Sequence, residues 1–183
     1  WHPWEDYRKF YVSKKETGAA REVVPFELIW MTNLFSGIKS VYGRIDKISK
    51  LQTNIDDIYE ILIEFKNGIH CVLIIDVISI PAFSETKIIT EKGSILCDHN
   101  SGIIKQNFGS KWISKKLNMG KVAKGYKGNT GSETLYEEEL NSFFNSILKK
   151  KKYPFSYSNE LKILEVLDSI EKSDKKGKKI LIK

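Results

Sequence analysis

The sequence has 183 residues, of which 41% are apolar and 29% charged, with a net charge of +7. That balance excludes a chain disordered over most of its length, and the size is enough for a core that needs no staples. No stretch approaches the roughly 18 apolar residues of a membrane span, and the basic excess gathers in Lys149–Lys152 and the KKGKK run at 175–179, behind predicted helices whose negative dipole ends favour lysine, so neither a membrane nor a nucleic acid is an expected partner.

Cys71 and Cys97 stand apart, with no CxxC or metal-ligand spacing. They read as reduced residues of a cytoplasmic protein, and no metal site is expected.

The chain opens WHPWEDYRKF, ten residues holding two tryptophans, a tyrosine, a phenylalanine, a histidine, two acids and two bases. Residues 4–16 are expected to form a short helix with Trp4, Tyr7 and Tyr11 on one face. Thr17-Gly18 breaks it. The next helix should begin near Val24, with Pro25 in its first turn, and run to Phe35. It is apolar nearly all round and should be buried. Ser36-Gly37 stops it.

From Ile38 the period changes. IKSVYGRIDKIS, IYEILIEFK and GIHCVLIIDVIS are rich in β-branched residues, and Asn67-Gly68 joins the last two as a hairpin. The third segment carries apolar residues on both faces, the pattern of a central strand covered on each side. FSETKIITEK, GSILCDHN and GIIKQNF follow as shorter strands. Residues 109–132, with five glycines, Trp112 and Tyr126, read as one long functional loop. A helix capped by Ser132 follows, with Leu135, Leu140, Phe143, Phe144, Ile147 and Leu148 as its apolar stripe. Tyr153-Pro154 ends it. A last helix should run from Ser158, its own cap, to Lys172, and KKILIK should close as an edge strand.

This order predicts an α+β fold: an open, mostly antiparallel or mixed sheet with helices on one face. The other face is free for a second copy of the chain, so a homo-oligomer is expected. Residues 1–20 are expected to be an interdomain, cleft-lining segment, and residues 21–183 the α+β domain.

GAAREVVPFELIWMTNLFSG, followed by VYGRI, resembles the start of the C-terminal domain of the Gfo/Idh/MocA oxidoreductases. Gly18 matches a glycine-rich bend, Glu22 an acid, and Leu34-Phe35 with Gly37 a terminal turn. FKNGIHCVLIID resembles that family's hairpin, TEKGSILCD its glycine–isoleucine strand pair, and LYEEELNSFFNSI with YPFSYSNELKILEVLDSIEKS its final helices. The resemblance spans the whole chain. It implies a preceding Rossmann domain, here missing, that binds NAD or NADP. The chain itself has no GxGxxG and no Glu-Lys-Pro, so these residues are expected to bind no cofactor. The implied enzyme transfers a hydride to or from a sugar or nucleotide-sugar alcohol, and this domain binds substrate and oligomerises. A non-catalytic sheet-dimerising or carbohydrate-binding module is the alternative.

One departure stands out: the family's catalytic histidine position falls on Phe26, which cannot move a proton. His2 and Glu27 are the candidate replacements. Glu27 is a carboxylate on an apolar helix, costly unless it faces a cleft or pairs with Arg21. Trp1, His2, Asp6, Tyr7, Arg8, Glu22 and Glu27 are the candidate substrate contacts. Asp6, Tyr7 and Arg8 suit sugar hydroxyls or a carboxylate, or else clamp two domains together. Trp30, Trp112 and Tyr126 are candidates to stack on a sugar or nicotinamide, although a tryptophan at position 30 also suits a core.

Overall fold

The computed structural model describes residues 6–120, 133–149 and 151–183. The chain divides into two compact units. Among the described residues, those up to Ile78 together with Pro154–Lys183 form one, and those from Ser79 to Tyr153 form the other.

The first unit opens with two short 3-10 turns, Tyr7–Lys9 and Tyr11–Ser13, in place of the expected helix. Phe10 between them is extended, with φ −98° and ψ 161°. Tyr7 and Tyr11 therefore share no helical face, and Trp4 lies outside the described residues. Helix α1 spans Ala20–Phe35, one turn earlier than its proline suggested. Pro25 sits inside it, where it offers no N–H to the carbonyl of Arg21. Nor is α1 buried all round. Ala20, Val24, Leu28 and Met31 make one buried stripe, whereas Phe26 and Leu34 are 62% and 61% exposed.

Strands β1 (Ile38–Asp46), β2 (Ile58–Phe65), β3 (His70–Asp76) and β8 (Ile180–Leu181) form an antiparallel sheet in the order β3-β2-β1-β8. Gly68, at φ 85°, turns the β2–β3 hairpin as Asn-Gly predicts. Alternation along the strands sends Val41, Tyr59, Ile61, Ile63, Phe65 and Leu73 to one face. There they meet the α1 stripe and Ile163, Val166, Leu167 and Ile170 of α3 (Tyr157–Lys176). Gly43 lets α3 approach: a Cβ at that position would lie 2.7 Å from Cγ2 of Ile170 and 2.8 Å from its carbonyl oxygen. The closing strand β8 is at the sheet edge as expected.

β3 is also an edge strand, not the central one its two apolar faces suggested. Val72 and Ile74 on its second face are 68% and 58% exposed. Helix α3 is longer than expected at both ends. Ser156, not Ser158, caps it by accepting from the amide of Asn159, and Gly177 ends it in the left-handed region.

The second unit is a separate antiparallel sheet, β4 (Glu85–Thr90), β5 (Gly93–Asp98), β6 (Ile103–Asn107) and β7 (Ile113–Lys116), in that order. The strands thus fall into two sheets where one was expected. β7 comes from the segment read as loop, because Gln106 to Ile103 of β6 pair with Ile113 to Lys116. Helix α2, Glu133–Leu148, belongs to this unit. Ser132 and Tyr126 lie outside the described residues. With α1 and α3, these sheets make an α+β fold.

Candidate functional site

Among the described residues of the predicted site, Glu22 and Glu27 stand on α1, and Asp6, Tyr7 and Arg8 lie in the segment before it. The segment 6–17 is fastened to the loop between β1 and β2 and to α1 at several points. Asp6 accepts from Arg8 through Nε at 2.7 Å and Nη2 at 3.0 Å, and Arg8 Nη1 donates to Gln52 at 3.1 Å. The Arg8 guanidinium, more than it is opposed by burial, holds the Asp6 carboxyl below its ordinary range. The amide of Gln52 donates to the Tyr7 hydroxyl at 3.3 Å, and Lys15 reaches Asp56 at 3.2 Å. The polar atoms of Asp6, Tyr7 and Arg8 are therefore engaged with one another and with the loop between β1 and β2. That loop is itself held by the buried Asp57. Burial pulls the Asp57 carboxyl upward, but hydrogen bonds from Ser49 and the amides of Ile48 and Ser49 leave it below its ordinary value.

Gly18 sets how closely the segment meets α1. A Cβ there would stand 2.3 Å from Cα of Val12, so only glycine passes at this distance. Its freedom serves backbone packing and not an anion. The sequence has no GxGxxG, the glycine spacing that lets backbone approach a pyrophosphate.

At this junction Tyr11 donates its hydroxyl to Oε1 of Glu22 at 3.1 Å. Burial, then the neighbouring Glu22, pushes the Tyr11 phenol up. Oε2 of Glu22 is buried and has no hydrogen-bond partner among the described residues, and the same holds for Oγ1 of Thr53. A buried carboxylate oxygen without a donor is costly, so it marks a place where a polar partner belongs. Phe26 lies one turn beyond Glu22 on the same side of α1, away from the buried stripe.

Glu27 does not pair with Arg21. Arg21 donates to Glu171 at 2.6 Å and to the carbonyl of Glu16 at 2.9 Å. Glu27 instead accepts from the indole Nε1–H of Trp30 at 2.6 Å, one turn along the helix. Trp30 packs against Phe35 at the border of the core, while Trp112 is exposed. Trp1 and His2 lie outside the described residues.

A cavity of about 410 Å³ also lies in the first unit, between the C-terminal half of α1 and the first turns of α3. Thr32, Asn33, Lys66, Asn159 and Glu160 are among its walls, and none of the described residues of the predicted site is. Among the described residues no unpartnered buried side-chain atom lines it, so Glu22 carries the stronger signal. Sequence reasoning found Glu22 but missed Tyr11 as its partner, and Gln52 as the partner of Tyr7 and Arg8. Their partners are 11 and 44 or 45 positions away, and no periodicity reports such a pairing.

No family model and no curated protein matches the sequence. Solved structures do share the fold, and they are oxidoreductases of the Gfo/Idh/MocA type. A levoglucosan dehydrogenase in complex with NADH and levoglucosan superposes with a TM-score of 0.77 at 15% identity, over 93% of this chain and 53% of that one. An oxidoreductase from Agrobacterium radiobacter, in complex with NAD+, L-tartaric acid and magnesium, gives a TM-score of 0.79 at 10% identity, over 93% of this chain and 51% of that one. An aldose-aldose oxidoreductase from Caulobacter crescentus, complexed with glycerol, gives 0.75 at 14% identity, over 97% and 52%. The chain spans about half the length of these structures.

Proposed function

We propose that this chain is the C-terminal, substrate-binding domain of an NAD- or NADP-dependent oxidoreductase acting on a sugar or nucleotide-sugar alcohol. The likeness of fold to the NADH- and sugar-bound dehydrogenase carries this reading. Hydride exchange would occur at a dinucleotide held by a Rossmann domain outside these residues. What this chain does is bind and orient the alcohol. Glu22 is the leading contact: Tyr11 occupies one of its oxygens, and the other is free to accept a hydrogen bond from a substrate hydroxyl. Glu27, braced by Trp30, stands one turn further along. Proton transfer from the alcohol falls to Glu22, to Glu27, to His2 or to the other domain, since Phe26 has no proton to exchange.

The outer face of the first sheet is the proposed interface with a second copy. Tyr42, Leu62 and Val72 lie side by side across β1, β2 and β3 and are all exposed. Arg44 with Glu60, and Lys39 with Glu64, flank the row. A face with both signs of charge around an apolar row is complementary to itself under two-fold symmetry. The alternative, a non-catalytic module, draws on one observation: an exposed phenylalanine stands at position 26.

The test is kinetic. The 183-residue chain alone should turn over no alcohol with NAD or NADP. In the full-length protein Glu22→Gln should lower kcat/KM about 10- to 100-fold, or roughly 1.4 to 2.7 kcal/mol of transition-state stabilisation. Unchanged kinetics in that variant would remove Glu22 from the site. Turnover by the chain alone would overturn the domain assignment.

A further inference from the structure

Thr86 on β4 and Cys97 on β5 are directly opposed in the second sheet, so their side chains share a face. His99, two residues past Cys97, lies against both. Its Nδ1 is 3.8 Å from Sγ of Cys97, and its Nε2 is 2.8 Å from Oγ1 of Thr86. When Nε2 carries the ring proton, Thr86 accepts it, and the lone pair on Nδ1 points at the thiol. A nucleophile, a base and a group that orients the base are thus in sequence. Cys97 is partly exposed and His99 is exposed, so a small reagent can reach them. Cys71 in the first unit has no such partner among the described residues and packs against the core of that unit.

We propose that Cys97 is a peroxide-reactive thiol, with His99 as its proton acceptor and Thr86 as the residue that positions His99. Burial, and then the neighbouring Asp98, push the Cys97 thiol up, so it rests protonated. The Asp98 carboxylate is taken up by Ser101 and the amides of Asn100 and Ser101. Lys115 lies two strands away in the same cross-strand row as Cys97. A protonated thiol needs its base at hand when it reacts. Sγ attacks the outer oxygen of a hydroperoxide, the S–O bond forms and the O–O bond breaks. The thiol proton passes to Nδ1 and then to the departing alkoxide. The products are a sulfenic acid and an alcohol, or water from hydrogen peroxide itself; sulfur is oxidised and the peroxide reduced.

The experiment exposes the 183-residue chain to hydrogen peroxide, traps sulfenic acid with dimedone and reads the Cys97 and Cys71 peptides by mass spectrometry. Cys97 should be labelled about 10-fold faster than Cys71, and faster than in the urea-unfolded chain. His99→Gln should slow Cys97 by about 10-fold or more and leave Cys71 unchanged, in the range of general-base effects. Thr86→Val should slow it about 3-fold, and Thr86→Ser should restore the rate, which a purely structural role for the residue would not require. A Cys97 rate that is unchanged by His99→Gln, or no faster folded than unfolded, overturns the proposal. The wild-type comparison decides alone if a variant fails to fold.

Discussion

The two units contrast in how they treat apolar residues. In the first, α1 and α3 lie on one face of a sheet and produce a continuous core in which Leu28, Val41, Phe65 and Ile170 lose all contact with water. In the second, no hydrophobic side chain among the described residues is fully buried. Ile89 and Ile113 stand 71% and 62% exposed on its sheet, and every large apolar residue of α2 is exposed, up to 80% at Leu148. Apolar composition alone therefore does not make a core. A strand or helix gains stability from its apolar face only where another element lands on it.

Paired substitutions test this contrast, and the largest effect should come from the core. Leu28→Ala should cost about 2–5 kcal/mol in urea unfolding, the range for an emptied leucine site. Leu148→Ala should stay within about 0.5 kcal/mol. Equal losses would mean that α2 has a cover that the described residues do not contain.

A smaller effect is expected where backbone meets side chain. Gly43→Ala pushes a Cβ into Ile170 and should cost about 1–3 kcal/mol by overpacking. Gly109→Ala in the second unit has open space around its Cβ and should change the thermal midpoint little. Ser156→Ala should remove roughly 1 kcal/mol by uncapping α3, again read from urea midpoints. A neutral result would show that the packed stripe alone sets the start of α3.

The smallest effect concerns acid. Hydrogen bonds from Lys39 and Ser40, against some burial, hold the Glu64 carboxyl at about 2 instead of 4.5. A folded-state value below the unfolded one stabilises the fold above pH 4.5, and that contribution disappears as pH falls through about 2. Glu64→Gln should thus be less stable than wild type at neutral pH, with the difference shrinking from pH 4.5 and gone below about 2. A gap that stays constant from pH 6 to 2 would assign the Glu64 contribution to packing.

Much of the local structure was legible from the sequence. The Asn67-Gly68 hairpin, the switch to strands at Ile38 and the two C-terminal helices follow from turn chemistry and periodicity. The errors have physical causes. Pro25 marked a helix start, yet one missing hydrogen bond did not outweigh the burial of Ala20 and Val24. Ile113–Lys116 read as loop because its pairing with β6 is not written in its own composition. At the candidate site, Glu22 was legible as an acid beside a glycine bend. That Tyr11 holds one of its oxygens and that Arg21 turns to Glu171 were not.

By itself, the sequence determined most of the helices and strands, because helix and strand periods and turns are properties of neighbouring residues. It also showed no GxGxxG, because that motif is glycines at fixed short spacing and can be read directly along the chain. The tertiary structure alone decided that the strands split into two sheets, that β3 lies at an edge, which acid is left with an unpartnered oxygen, and that His99 meets both Cys97 and Thr86. Each of these depends on residues brought together across turns or from distant parts of the chain, and local pattern has no term for that.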